Sequence, residues 1–114
     1  MLHILLILSV VSLISNAQDD AFEKLVQRVP GIPGEDYPIF AIAPDTSFLC
    51  EVQPVEGYYA DQEADCQAYH VCGEDGSIIG SKLCPNGTLY NQQYFICDWW
   101  FNVDCSVVSI IFLN

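Results

Sequence analysis

The segment that decides the fold is Cys84-Pro-Asn-Gly-Thr-Leu-Tyr-Asn-Gln-Gln-Tyr-Phe-Ile-Cys97-Asp-Trp-Trp-Phe-Asn-Val-Asp-Cys105. It contains three of the six cysteines, both tryptophans and several further aromatic side chains. The Pro-Asn-Gly that follows Cys84 is typical of a tight turn, because these residues preset or tolerate the backbone angles that turns require. The segment therefore predicts a hairpin that is held by disulfides and carries a platform of aromatic rings.

The six cysteines all lie between residues 50 and 105. An even number of cysteines in a short secreted chain implies a disulfide framework, although their spacing alone leaves 15 connectivities open. A zinc site is the alternative, but there is no C-x-x-C pair and His70 is the only histidine after residue 17. A block this short builds little core, so we expect each bridge to stabilise it by about 2–4 kcal/mol.

Short strands are predicted on both sides of strong turn signals. Residues 57–60 and 67–72 have strand-like composition, and Gly73-Glu-Asp-Gly76 predicts a turn into a return strand that begins near residue 78. The hairpin over residues 84–97 follows. The sequence therefore predicts a small, disulfide-rich, all-β fold with a three-stranded antiparallel sheet, a two-stranded hairpin and three disulfides.

The chain divides into four segments by composition. Residues 1–17 are apolar and end in small and polar residues, which predicts a secretory signal peptide rather than a membrane anchor. Residues 18–49 form an acidic N-terminal arm, and residues 50–105 form the cysteine-rich domain. Residues 106–114 form an apolar tail of unclear status, too short to span a bilayer.

The arm contains a helical pattern near its start. Phe22, Leu25, Val26 and Val29 recur at helical spacing, and Pro30-Gly-Ile-Pro-Gly ends the pattern. Residues 35–49 contain two prolines, and we expect an extended conformation there. The alternation over residues 39–43 leaves a strand as the alternative.

The charge balance excludes several classes of partner. The formal net charge is −12, with only three lysine and arginine side chains. We therefore expect no binding to nucleic acid, and no membrane association once the signal peptide is removed. The acidic loops at residues 61–65 and 74–75 do not follow the EF-hand pattern of a calcium site. A solvated acidic surface is the simpler interpretation.

No pattern of catalytic residues is present. The mature chain has one histidine, every cysteine is expected to be oxidised, and no G-x-S-x-G or H-E-x-x-H motif occurs. The carboxylates are scattered along turn-like segments rather than paired in an apolar pocket. We therefore expect a non-catalytic protein that needs no cofactor.

The aromatic cluster indicates binding to a neutral sugar polymer. The C–H faces of sugar rings stack on electron-rich aromatic faces, and Asn91, Gln92 and Gln93 could bond hydroxyl or acetamido groups. The alternative is that these rings form the core of a small domain. Trp99 and Trp100 are adjacent, so in an extended chain one faces inward and the other outward.

These residues resemble a known family. The cysteine spacing is C-x15-C-x5-C-x11-C-x12-C-x7-C. Four motifs lie within it: Gly57-Tyr58-Tyr59-Ala60-Asp61, Tyr69-His70-Val71-Cys72, Cys84-Pro85-Asn86-Gly87-Thr88-Leu89-Tyr90-Asn91 and Cys97-Asp98-Trp99-Trp100-Phe101-Asn102-Val103-Asp104-Cys105. The pattern resembles the type-2 chitin-binding domain, or peritrophin-A domain, especially in single-domain insect cuticular proteins analogous to peritrophin. The lead-in Pro33-Gly-Glu-Asp-Tyr-Pro-Ile-Phe40 is similar to that group too.

The resemblance implies a disulfide pairing and a set of binding residues. The family pairs the first cysteine with the third, the second with the sixth and the fourth with the fifth. The implied disulfides are Cys50–Cys72, Cys66–Cys105 and Cys84–Cys97. The implied chitin-binding residues are Tyr69, His70, Tyr90, Asn91 and Trp99. Trp99 ranks first among them, and for Tyr90 a place in the core is an equal alternative.

Two features depart from the resemblance or add to it. The segment between Cys72 and Cys84 is short for the cuticular group and lacks an aromatic ring before the fourth cysteine. This departure predicts either weaker binding or an irregular return strand. The sequence Asn86-Gly87-Thr88 is an N-glycosylation sequon, although a turn alone also explains Asn-Gly at this position.

The function implied is that of a secreted, extracellular, non-catalytic chitin-binding module of a cuticle or another chitin matrix. Its partner would be the N-acetylglucosamine polymer, with other matrix proteins as further partners of the arm. Two alternatives stay open from the sequence. One is a disulfide-rich inhibitor or toxin that binds a protein, and the other is a structural matrix protein without sugar binding.

Overall fold

The computed structural model describes residues 20–107. The predicted signal peptide over residues 1–17 and most of the apolar tail lie outside the described residues. Within residues 20–107, no helix is long and apolar enough to cross a membrane.

Three strands form an antiparallel sheet in the order β1-β2-β3. They span Gly57–Ala60, Ala68–Cys72 and Ile78–Leu83. The turn between β2 and β3 is closed by a hydrogen bond from the amide of Gly76 to the carbonyl of Gly73, at 3.2 Å. The pairing of β2 with β3 shifts register between Val71 and Cys72. The irregular return strand expected from the short loop is therefore present at the point where the loop joins the sheet.

Two further strands form the hairpin. β4 spans Thr88–Asn91 and β5 spans Ile96–Trp99, and they pair antiparallel. Tyr90 lies opposite Cys97 in this ladder, and Thr88 lies opposite Trp99. The predicted fold class, with its three-stranded sheet, its hairpin and three disulfides, is confirmed.

The three disulfides connect the sheet, the hairpin and the end of the domain. The pairs are Cys50–Cys72, Cys66–Cys105 and Cys84–Cys97. These are the pairs that the family resemblance implies. Cystine sulfur contributes much of the interior, since one buried cluster contains Cys66 and Cys84 beside the side chains of Ala60, Leu89 and Tyr90.

Buried polar side chains supplement this small apolar core. The amide of Gln67 is buried; its Nε2 donates to the carbonyl of Cys84 at 3.0 Å, and its Oε1 accepts from the amide of Phe40 at 2.8 Å. The amide of Cys84 returns a hydrogen bond to the carbonyl of Gln67 at 2.8 Å. Gln67 thereby joins the arm, the sheet and the hairpin through bonds that satisfy its polar atoms.

The arm packs onto the domain. Residues 20–28 are α-helical, and the chain then turns through residues 29–37. Val29 and Tyr37 are buried. Residues 35–37 belong to this turn rather than to an extended segment, and residues 38–49 contain neither helix nor strand. Residues 38–49 are nevertheless part of the folded unit, because Phe48 packs against the buried cluster around Tyr59.

Candidate functional site

The two adjacent tryptophans have different environments. The Trp99 ring ends β5 and remains 47% exposed. The indole N–H of Trp100 donates to the carbonyl of Pro30 at 2.6 Å, and its ring stacks on Tyr37 with the centroids 6.0 Å apart. The prediction that one ring faces inward and the other outward is confirmed. Trp100 anchors the arm, and Trp99 is available to a ligand.

Trp99 lines an open groove between the hairpin and the helix over residues 20–28. The groove has a volume of about 480 Å³, within the range of roughly 300–1,000 Å³ typical of ligand pockets. Lys24, Leu25 and Arg28 line the side formed by the helix, and Thr88 lines the side formed by the hairpin. We call this feature the Trp99 groove. It combines an aromatic face with hydrogen-bond donors, which suits a ligand with apolar ring faces and polar substituents.

A row of three tyrosines runs from the sheet to the hairpin. The rings of Tyr58 and Tyr69 have centroids 6.5 Å apart, and those of Tyr69 and Tyr90 are stacked at 4.3 Å. Tyr58 is 47% exposed, Tyr69 is half-buried and Tyr90 is only 3% exposed. Burial raises the pKa of Tyr90 to about 12, and the neighbouring hydroxyls of Tyr69 and Tyr58 add to the rise. The phenols therefore lie close together.

The register of the hairpin relates this row to Trp99. Tyr90 lies opposite Cys97 and Trp99 follows two residues later, so Tyr90 and Trp99 are diagonal neighbours in the ladder. The burial of Tyr90 favours the core alternative for that residue. The ring of Tyr90 stacks on Tyr69 and supports it from the core side. Of the four aromatic rings, Trp99 and Tyr58 are exposed to solvent and Tyr69 is exposed in part.

His70 is buried on the opposite face of β2 from Tyr69. Its ring nitrogens lie 2.6 Å from Oδ2 of Asp61 and 2.7 Å from Oγ of Ser81. The ring of Phe48 stacks on it at 4.4 Å between centroids. These contacts occupy both nitrogens of His70 and cover one face of its ring. The sequence did not predict this network, because its members are far apart in the chain.

Two of the three polar residues expected beside the platform, Asn91 and Gln92, are used by the fold itself, whereas the side chain of Gln93 is exposed. Asn91 is 8% exposed, and its Oδ1 accepts a hydrogen bond from the amide of Gln93 at 3.1 Å. Gln92 is buried, where it accepts from the amide of Ala60 at 2.7 Å and donates to the carbonyl of Tyr58 at 2.7 Å. Gln92 therefore holds the hairpin tip against the edge of β1 and has no free amide atom to offer a sugar.

The hairpin tip presents apolar surface whose aromatic rings belong to the platform expected from the sequence but were not among the predicted chitin-binding residues. Tyr94, Phe95 and Ile96 are all exposed, and Phe95 has a left-handed φ of 58°. Such a backbone is uncommon for a bulky residue and is found where the surrounding structure imposes it. Here the amides of Tyr94 and Phe95 both donate to the carbonyl of Asn91, at 3.2 Å and 2.8 Å, which closes the tip.

Tyr58 is a further residue that the sequence analysis did not select. Its signal was the alternation within Gly57–Ala60, which places Tyr58 and Ala60 on one face of β1. Ala60 pairs with Tyr69 across the sheet, so Tyr58 and Tyr69 share that face.

Several acidic side chains accept local hydrogen bonds from serine. Hydrogen bonds from serine lower the pKa of three exposed carboxyls, and these pairs are Glu63 with Ser47, Asp75 with Ser77 and Asp104 with Ser106. Among residues 20–107, no group of three or more metal-ligating side chains lies close enough to hold an ion. These carboxyls stabilise turns and the junction of the arm with the domain.

Comparison with known proteins identifies the domain. Residues 50–105 match the model of the chitin binding Peritrophin-A domain. This part of the chain belongs to that family of chitin-binding domains. The Trp99 groove and the tyrosine row both include residues of the matched segment.

Individual relatives fall into two groups. U-scoloptoxin(01)-Cw1a of Cormocephalus westwoodi is 43% identical over 60 residues, which cover 53% of this chain and 49% of that protein. U-scoloptoxin(01)-Er1a of Ethmostigmus rubripes is 42% identical over 50 residues, covering 44% of this chain and 41% of that protein. Peritrophin-44 of Lucilia cuprina is 41% identical over 59 residues, covering 52% of this chain and 16% of that protein.

The matched segment spans about half of the length of each scoloptoxin or less, and a smaller share of Peritrophin-44. No solved structure significantly matches this chain.

Proposed function

We propose that this protein is a secreted, non-catalytic module that binds chitin through the Trp99 groove. The observation that carries the proposal is the exposed Trp99 ring at the end of β5, in a segment that belongs to a chitin-binding family. A flat, half-exposed indole offers the electron-rich face on which the C–H groups of an N-acetylglucosamine ring stack. Lys24 and Arg28 line the same groove and supply donors for acetamido carbonyl oxygens.

A second contact area is the row of Tyr58 and Tyr69. Both rings are accessible in part, and Tyr90 backs Tyr69 at 4.3 Å between centroids. A ring held by such a stack loses little side-chain freedom when a sugar binds, so less binding free energy is lost to ordering. His70, Tyr90 and Asn91 act in this proposal as buried supports for the surface rather than as direct contacts.

The charge and the small contact area fit a matrix protein. A neutral polymer needs no opposite charge on the protein, and the net charge of −12 keeps the chain soluble beside it. One module with few rings binds weakly, so strong retention on a matrix requires several copies or a second partner. We propose cuticle or another extracellular chitin matrix as the location, with the arm as the contact to other matrix proteins.

Retention on polysaccharide beads tests the proposal. Residues 18–114 would be exported to the bacterial periplasm, where disulfides form and no N-glycan is added, and three bridges would be verified by mass spectrometry. We expect retention on chitin but not on cellulose. Trp99→Ala should weaken binding about tenfold, equivalent to about 1.4 kcal/mol.

Tyr94→Ala is the matched control, because Tyr94 is an aromatic residue of the same hairpin that is 62% exposed and does not line the groove. We expect this variant to bind like the parent protein. Absence of retention by the parent protein with its three bridges intact would refute chitin binding. Equal weakening by the two variants would refute the assignment to Trp99.

A toxin-like protein that binds a protein partner is the second candidate. It is favoured by the 43% and 42% identity to two proteins named as scoloptoxins. The exposed tip at Tyr94, Phe95 and Ile96 would be its contact surface. Competition by soluble chito-oligosaccharide separates the two candidates, since only a chitin-binding protein would be released from its target by the sugar.

A further inference from the structure

The N-glycosylation sequon lies on the same groove as Trp99. Asn86 and Thr88, the first and third residues of the sequon, both line the Trp99 groove. Thr88 is directly opposite Trp99 in the β4–β5 ladder, and side chains paired in this way have Cβ atoms about 4.5–5.5 Å apart. A group attached to Asn86 therefore begins at the edge of the surface that is proposed to hold chitin.

The side chain of Asn86 is arranged with its amide nitrogen available. The residue is exposed, and its Oδ1 accepts a hydrogen bond from Nε2 of Gln67 at 2.9 Å. Within residues 20–107, Nδ2 of Asn86 donates no hydrogen bond to the protein. The buried Gln67 thus fixes the orientation of the Asn86 side chain, while the atom that would carry a glycan remains free.

We propose that an N-glycan on Asn86 acts as a tethered competitor for the Trp99 groove. The first sugar of an N-glycan is N-acetylglucosamine, which is the repeating unit of chitin. The groove would accept this sugar by the same stacking and hydrogen bonds, so a glycosylated molecule binds the matrix less well than an unmodified one. This inference rests on the proposed function of the groove.

The attachment step uses a donor supplied in the secretory pathway. Nδ2 of Asn86 attacks the anomeric carbon of an oligosaccharide linked to a lipid pyrophosphate. The new C–N bond forms as the C–O bond to the pyrophosphate breaks, and the lipid pyrophosphate leaves with that electron pair. The amide nitrogen loses one proton to the transferase, and no oxidant or reductant is required.

The tether sets the size of the effect. A ligand on a short tether acts at an effective concentration of about 1 mM, so a groove with a Kd of about 0.1–1 mM for the free sugar loses about two- to tenfold in apparent affinity. The Lys24 and Arg28 side chains line the other wall of the groove. Both side chains carry only hydrogen-bond donors, which suit either ligand. They therefore do not discriminate between the glycan and chitin.

The test compares the glycosylated chain secreted from insect cells with unglycosylated protein of the same mature sequence from the bacterial periplasm. No residue is substituted, because Asn86 and Thr88 of the sequon both line the groove. Peptide-N-glycosidase would remove the glycan from wild-type protein and convert Asn86 to aspartate, whose oxygen can still accept the Gln67 hydrogen bond. Mass spectrometry would measure occupancy, and chitin beads would measure retention.

We expect Asn86 to be occupied in the protein from insect cells, and its retention to be at least about twofold weaker than that of the unglycosylated protein from bacteria. Removing the glycan should raise the retention of the insect-cell protein toward that of the bacterial protein. An unoccupied Asn86, or equal retention of the glycosylated and unglycosylated forms, would overturn the inference.

A second readout does not require chitin binding. The Trp99 indole signal in an NMR spectrum should shift when the glycan is removed, because the first sugar leaves its ring. If this signal stays in place, the glycan is not in the groove and the inference is wrong. If the signal shifts while no form binds chitin, the groove holds a sugar and the proposed function alone fails.

Discussion

Substituting Gly31 tests how the arm is held against the domain. Gly31 has a left-handed φ of 98°, and a Cβ at this position would lie 2.8 Å from Cζ2 of Trp100. An alanine in left-handed backbone costs about 1–2 kcal/mol, and overpacking a filled site costs about 1–3 kcal/mol more. We therefore expect Gly31→Ala to destabilise the docked arm by about 2–5 kcal/mol.

Gly34→Ala separates the cost of the left-handed backbone from the cost of overpacking. Gly34 also has a left-handed φ, of 84°, but a Cβ there meets only Cδ1 of Ile39 at 3.9 Å. It carries the backbone cost without the collision, so we expect a loss of about 1–2 kcal/mol. The difference between the two variants isolates the contact of the arm with Trp100.

Limited digestion with trypsin measures this difference. The bond after Arg28 precedes Val29, which is buried, so cleavage there requires the arm to open. When opening is fast, the cleavage rate follows the population of the open state, and each 1.4 kcal/mol changes it about tenfold. We expect much faster cleavage in Gly31→Ala than in Gly34→Ala. Equal rates in the two variants would refute the idea that Trp100 holds the arm.

Two further predictions concern the disulfides and Tyr90. The Cys66–Cys105 bridge spans 39 residues and the Cys84–Cys97 bridge spans 13. Replacing the first pair by alanine should lower the free energy of unfolding by about 4 kcal/mol, and replacing the second by about 3 kcal/mol. Urea denaturation measures both losses, and the reverse order would contradict this account. The pKa of Tyr90 is raised from 10.0 to about 12, so its contribution to stability is complete below about pH 10 and is lost as the pH rises toward 12. Between about pH 9 and pH 11.5 this loss amounts to roughly 2 kcal/mol, at about 1.36 kcal/mol per pKa unit. Urea denaturation at these two pH values should show a smaller loss in Tyr90→Phe, and identical losses in the two proteins would contradict the burial of the phenol.

Much of the fold was predictable because its signals are local. The turn signals at residues 73–76 and 85–87 and the strand-like runs between them define the sheet and the hairpin. The disulfide pairing was not derivable from the spacing, and it came from the family resemblance. The opposite environments of Trp99 and Trp100 follow from their adjacency at the end of a strand.

The division between binding surface and core was harder to predict. Tyr90 and Asn91 belong to the hairpin that was expected to bind sugar, yet both are buried. A small domain has so little apolar volume that its aromatic residues serve as core, and a sequence pattern does not tell which ring the next element covers. Gln92 illustrates the same problem, because its partners in Gly57–Ala60 lie 32 and 34 residues away.

The contacts of the arm were not predictable for a related reason. Trp100 reaches the carbonyl of Pro30 across 70 residues, and Phe40 reaches Gln67 across 27. No periodicity in the arm signals such partners. The arm contributes one wall of the Trp99 groove through residues 21–29, so the candidate site extends beyond the cysteine-rich domain.

The most direct test of the account is an NMR titration with chito-oligosaccharide. The chain has two tryptophans and so gives two indole N–H signals, which Trp99→Phe would assign. We expect the Trp99 signal to shift as the sugar is added, while the Trp100 signal stays in place because its N–H is bonded to Pro30 and its ring is stacked on Tyr37. A titration that moves neither signal, or that moves only the Trp100 signal, would contradict chitin binding at the Trp99 groove.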